Sequence, residues 1–157
     1  MKRPGTYLFW VLICEGCGLL GGMVTVRAVA TWYPALVKPW WTPPAWVFGP
    51  VWTVMYALMG LAAARVWIRH GRTKGGRLSL ILFGVQLALN CTWSFLFFGA
   101  RVPGFAFAEI VLLWIAILAL ALWWWWLDRR ASLLLVPYLV WVAFAGALNA
   151  VIWNLNP

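Results

Sequence analysis

Five apolar runs of spanning length follow one another in this chain, at about 6–26, 46–68, 78–98, 104–127 and 132–153. A helix needs about 20 apolar residues to cross a bilayer, and each run reaches that length. With no water in the hydrocarbon core, a segment that crosses it must satisfy its own backbone, which leaves the helix as the choice for such runs. The expected fold is therefore an all-α integral membrane protein, a bundle of five transmembrane helices forming a single domain over 1–157 in contact with a lipid bilayer. At 66% hydrophobic and 10% charged, the chain lacks the polar surface of a soluble domain.

Its charge is lopsided: twelve Lys and Arg against three Asp and Glu, a net +9. In a soluble protein this would suggest nucleic acid. Here the basic residues sit between the apolar runs, where they set topology and meet anionic headgroups, so nucleic acid is set aside. Lys2, Arg3, Arg69, Arg72, Lys74, Arg77, Arg129 and Arg130 fall on the N-terminal side, against Arg27, Lys38 and Arg101 opposite. Eight against three predicts a multi-pass protein with a cytoplasmic N-terminus and an outer C-terminus. Ala28-Val29-Ala30 mimics a signal cleavage site, but the first apolar stretch exceeds a signal core, so it reads as a retained helix.

The run Trp32–Pro44, WYPALVKPWWTPP, holds four prolines and four Trp or Tyr residues. Proline fixes φ and disfavours helix in the residue before it, which predicts a stiff non-helical loop over 32–44. Its aromatics place it at the interface or over a mouth of the bundle. The loop Arg69–Arg77, with Gly71, Gly75 and Gly76, reads as flexible and basic. Gly18 and Gly22 form a small-xxx-small pair that permits close helix approach.

Cys14-x-x-Cys17 resembles a redox or haem-attachment motif, but Gly18 follows where haem attachment would need His, and both cysteines read as packing residues. His70, the one histidine, cannot build the usual metal site. Polar residues within spans each require a reason. Asn90, Trp93 and Phe97 share a stripe on the third helix. Trp141, Ala145 and Asn149 do so on the fifth, and Trp52, Tyr56 and Met59 on the second. Such faces suit an apolar pocket with a few orienting polar groups, or interhelical hydrogen bonding and packing. Glu109 reads as a carboxylic acid bonded to a neighbouring helix, or else as a proton carrier. Fifteen tryptophans exceed what interfacial belts need and invite an aromatic-lined cavity.

WYPALVKPWWTPPAWVFGPVWTVMYALMG from Trp32, QLALNCTWSFLFFGAR from Gln86, the acid at Glu109 and VPYLVWVAFAGALNAVIWNLN from Val136 together resemble the tryptophan-rich sensory protein/translocator protein family (TspO/MBR). The likeness runs from Trp32 to Asn156. It implies a five-helix bundle, often a homodimer, with the loop after the first helix lidding a pocket. The implied ligands are tetrapyrroles such as protoporphyrin and haem, and other hydrophobic molecules, with no obligatory cofactor. Carried over by position, the ligand-binding residues are Tyr33, Trp52, Asn90, Trp93, Ser94, Trp141, Phe144 and Ala145. Trp52 and Trp141 would be catalytic if porphyrin is degraded in light. The family leaves a receptor or sensor, a porphyrin-degrading enzyme and a transporter as alternatives, and a binding protein is the first expectation. Lys38 and Arg101 are the lid-side cations that could meet ligand carboxylates, although Lys38 could equally anchor the loop to lipid headgroups.

The chain departs from the pattern in two ways. The sterol-recognition motif of animal members needs Tyr and a following Lys or Arg, which 145–157 lacks. Glu15 is not a residue associated with the family's first helix. The basic loop and short C-terminus suggest a bacterial member.

Overall fold

The computed structural model describes residues 3–157. Five helices follow in order: α1 (Arg3–Thr31), α2 (Ala45–His70), α3 (Lys74–Ser94), α4 (Pro103–Leu127) and α5 (Arg129–Leu155). All five are long and apolar enough to cross a membrane, so the protein is a multi-pass integral membrane protein. Around the bundle, α1 packs on α2, α2 on α5, α5 on α4, α4 on α3, and α3 back on α1. The lid loop, the α3–α4 connection and the C-terminus share one end. The α2–α3 turn and Asp128 share the other. Lys2, one of the expected topology charges, lies outside the described residues.

Three expectations about boundaries are corrected. The helices run further than the apolar stretches, their end turns taking in polar residues such as Arg3, Arg27 and Arg69. The basic loop is shorter than expected. Thr73 caps α3, its Oγ1 accepting from Gly76 N at 3.1 Å, so Lys74–Arg77 form the first helical turn. The lid holds a 3₁₀ turn at Tyr33–Ala35, with Pro34 in its first positions, where a missing N–H costs nothing.

After Ser94, α3 continues as a π-helical segment, Phe95–Gly99. The extra residue per turn lets neighbours Phe97 and Phe98 both face inward. Phe97 stacks on Trp93 with centroids 5.3 Å apart, and Phe98 sets its ring against Tyr33 at 5.9 Å. Arg101 then turns the chain in the left-handed region, φ 59°.

Five buried polar side chains of the bundle, Tyr56, Gln86, Asn90, Tyr138 and Asn149, are joined across helices. The Tyr56 hydroxyl (α2) donates to Asn90 Oδ1 (α3). Asn90 Nδ2 donates to the Tyr138 hydroxyl (α5) at 2.9 Å, and that hydroxyl donates to Gln86 Oε1 at 3.0 Å. Asn90, Gln86 and Tyr138 are almost wholly buried. Higher up, Trp93 Nε1 donates to Asn149 Oδ1 at 3.1 Å, and Asn149 Nδ2 to the Pro103 carbonyl at 2.8 Å. In hydrocarbon these groups have no water to turn to, so the bonds set the register of α2, α3, α4 and α5.

At the end away from the lid, Asp128 caps α5, accepting from the Arg130 and Ala131 amides. An Arg65 Nη donates to both of its carboxylate oxygens at 3.0 Å, and Arg69 Nε stands 3.5 Å away. One carboxylate thus ties the end of α2 to the start of α5. Burial alone would raise the Asp128 carboxyl. The Arg65 hydrogen bond, the Ala131 amide and the charges of Arg65 and Arg69 outweigh it and hold the group below its ordinary value.

Two predictions follow from these contacts. Removing the Asp128 charge strands a guanidinium that keeps only partial contact with solvent. Asp128→Asn should therefore cost about 2–3 kcal/mol, less than a fully buried pair. Because the folded value is depressed, the contribution is complete above the ordinary carboxylate value and is lost as pH falls through the folded one. Apparent Tm in detergent should separate wild type from Asp128→Asn at neutral pH and converge only below about pH 4. A gap independent of pH would refute the clasp. For the bundle interior, Tyr138→Phe leaves the Asn90 amide and the Gln86 carbonyl unpartnered at once. It should lower stability by about 1–2 kcal/mol. An unchanged melting curve would show that the chain of bonds contributes nothing.

Candidate ligand cavity

Between α1, α2, α3, α5 and the lid lies a cavity of about 410 Å³. No wall residue comes from α4, which packs behind on α3 and α5. Eight of its seventeen wall residues are aromatic. Trp46, Phe48, Trp52 and Tyr56 come from α2, Trp93 from α3, Phe98 from the π segment, Trp141 from α5 and Tyr33 from the lid. Among the described wall residues none carries a formal charge, and the polar ones besides tyrosine and tryptophan are Thr25 and Ser94.

The rings hold one another in place. Trp52 stacks on Tyr56, centroids 5.6 Å apart and planes 30° off parallel. It also meets Tyr138 edge-on at 6.2 Å, and Phe48 meets Trp141 edge-on at 6.0 Å. Since the Tyr56 and Tyr138 hydroxyls belong to the buried chain of bonds, the face that Trp52 presents is set from behind. A Cβ on Gly18 would run into the Tyr56 ring, so glycine there lets α1 close over it. Its expected companion Gly22 makes no such approach. It has open space beside it and lines the cavity.

The lid is stapled at its far end. Val37 N donates to Asn156 Oδ1 at 3.0 Å, and Asn156 Nδ2 donates to the Val37 carbonyl at 2.9 Å. Lys38 Nζ donates to the carbonyls of Tyr33 at 2.8 Å, Leu36 at 2.7 Å and Pro34 at 3.3 Å, and lies over the Tyr33 ring. Burial raises the Tyr33 phenol above its ordinary value. The Tyr33 hydroxyl and Trp141 Nε1 are buried without a partner among the described residues.

Of the eight ligand-binding residues expected, Tyr33, Trp52, Trp93, Ser94, Trp141 and Ala145 come together in this wall. Asn90 and Phe144 do not. Asn90 stands one layer behind, bonded to Tyr56 and Tyr138. Phe144 packs on Trp41 and Trp141, at 5.6 and 5.4 Å. Neither expected cation reaches the cavity. Lys38 is committed to the loop's own carbonyls, and Arg101 lies over Trp32 on the outside of the bundle. Glu109 is buried, but its carboxyl oxygens find no partner among the described residues, so the expected bond to a neighbouring helix is absent. Tyr56 reaches the wall from the α2 stripe already read with Trp52, whereas three wall aromatics, Trp46, Phe48 and Phe98, lay on none of the expected stripes. Phe48 lies one turn before Trp52 on the same face of α2, while Trp46, six residues before it, enters from the helix's first turn. Phe98 is off the α-helical stripe and enters through the π segment.

The three cysteines are free. Cys14 is fully buried, and Cys17 Sγ donates to the Leu87 carbonyl at 3.4 Å, which agrees with their expected packing role.

The TspO/MBR family model matches residues 10–154. The tryptophan-rich protein TspO of Chlorobaculum tepidum is 43% identical over 156 residues, 99% of both chains. The tryptophan-rich sensory protein of Cereibacter sphaeroides is 37% identical over 150 residues, 94% of this chain and 92% of that one. The human translocator protein is 42% identical over 126 residues, 80% of this chain and 75% of that one. With this likeness across nearly the whole bundle, the chain belongs to the TspO/MBR family.

Proposed function

We propose that this protein binds a planar tetrapyrrole, metal-free protoporphyrin foremost, in the cavity under the lid, and acts as a receptor for it. The observation that carries this reading is the cavity wall: aromatic, uncharged and drawn from four elements and the lid. Flat π-ligands stack on indole and phenol rings, and about 410 Å³ falls in the usual range for small-molecule pockets. Haem fits less well. The wall offers no histidine, methionine or cysteine for the iron, and the Tyr56 hydroxyl is already bonded to Asn90, which among the described residues leaves the Tyr33 phenol as the one wall tyrosine oxygen free to meet it. The carboxylates of a porphyrin would stay at the mouth, since the interior holds no cation to meet them. Loop charge favours a cytoplasmic N-terminus, which would put that mouth on the outer side of the membrane.

Stacking area is the quantity to test. Trp52→Ala and Trp141→Ala should each weaken protoporphyrin binding by about 1–3 kcal/mol, read as a right-shifted fluorescence-quenching titration. Trp126→Ala, 86% exposed on the outside of α4, should bind as wild type does. Unchanged dissociation constants for both cavity variants would overturn the assignment.

A further inference from the structure

A second concavity lies outside the bundle, on the lid half of α1. It encloses about 830 Å³ between α1 and the end of the π segment. Leu19, Met23 and Val26 form its long side, each 71% exposed, and Phe98 and Gly99 form the other. The seam between the two sides is tight. A Cβ on Gly99 would stand 3.0 Å from Val24 Cγ1. From Leu19 to Arg27 the helix rises about 12 Å, most of the hydrocarbon depth of one leaflet, about 15 Å.

Arg27 and Arg101 close the same groove at its lid end. Both are exposed, and among the described residues neither is ion-paired or hydrogen-bonded through its guanidinium. Asp128, the one acid outside the spans, sits at the opposite end of the bundle with Arg65 and Arg69. Arg101 is also posed. Its backbone takes a left-handed turn, and its guanidinium lies 5.9 Å over the Trp32 ring. The groove is therefore apolar along its length and carries two unpaired positive charges where the helix leaves hydrocarbon.

We infer that this groove is a binding site for an anionic phospholipid of the lid-side leaflet. Its phosphate would be held between Arg27 and Arg101, with one acyl chain lying along Leu19, Met23, Val26 and Phe98. Two guanidinium groups match a phosphate by charge and by fork geometry. The apolar trough receives the chain that a free phosphate would lack. A zwitterionic lipid offers the same tail, but its own ammonium opposes the arginines. The site stands independently of what the inner cavity takes, although Gly22, Val26 and Phe98 belong to both walls.

Native mass spectrometry of protein released from nanodiscs of equal phosphatidylglycerol and phosphatidylcholine tests this. Wild type should retain phosphatidylglycerol in preference. Arg27→Gln with Arg101→Gln should cut that preference roughly tenfold or more, as expected for two basic surface contacts. Arg27→Lys with Arg101→Lys should keep most of it, which separates lost charge from a disturbed turn. Arg72→Gln with Lys74→Gln, at the other end, should leave it unchanged. Equal retention of the two lipids by wild type, or full preference in the double Gln variant, would overturn the site. One-for-one displacement of the lipid by protoporphyrin would do so too, by assigning the arginines to the cavity ligand.

Discussion

A polar side chain within a membrane bundle has only the neighbouring helices to bond to, and in this protein that constraint converges on one hydroxyl. Tyr138 accepts from Asn90 and donates to Gln86, and Asn90 in turn accepts from Tyr56. Lipid tails are as apolar as the helix faces, so hydrophobicity alone does not choose how five such helices meet. Directional bonds between α2, α3 and α5 do. They exclude sliding or rotation that packing of Leu, Val and Ala would tolerate. The Asp128 clasp adds a second fixed point at the far end, and the Asn156 staple a third at the lid.

The cavity follows from that arrangement. With Tyr56 and Tyr138 held at their hydroxyls, their rings form a fixed backing for Trp52. Trp93 is held by Asn149, and Trp141 by its packing on Phe48 and Phe144. What remains between them is a space that the aromatic rings are too rigid to fill by collapsing. Glycines 18 and 22 bring α1 close at one level and leave room at the next. Such a space recognises shape and flatness rather than charge, which suits a binding protein for a large planar molecule in our reading.

Much of this was legible in the chain itself. Five apolar runs and the basic turns between them dictate the bundle, and the proline-rich segment dictates a loop that is not a span. Helical spacing put Trp52, Trp93 and Trp141 on inward stripes, and all three reach the cavity. Spacing could not separate a residue in the wall from one behind it. Asn90 shares its stripe with Trp93, but its short amide is taken up by two tyrosines before it can face the ligand space. Phe98 escaped because an α-helical stripe carries no signal for a π turn. Lys38 looked available because sequence does not show that three carbonyls of its own loop converge on its ammonium. Arg65 went unremarked inside an apolar run until Asp128, 63 residues on, gave it a partner.

The central claim is that the aromatic cavity under the lid is where a tetrapyrrole sits. An experimental structure of the protein in lipid with metal-free protoporphyrin tests it most directly. The account predicts macrocycle density between Trp52 and Trp141, below Tyr33, with the carboxylates toward the lid. Density for the ring only outside the bundle, with the cavity unchanged, would contradict it.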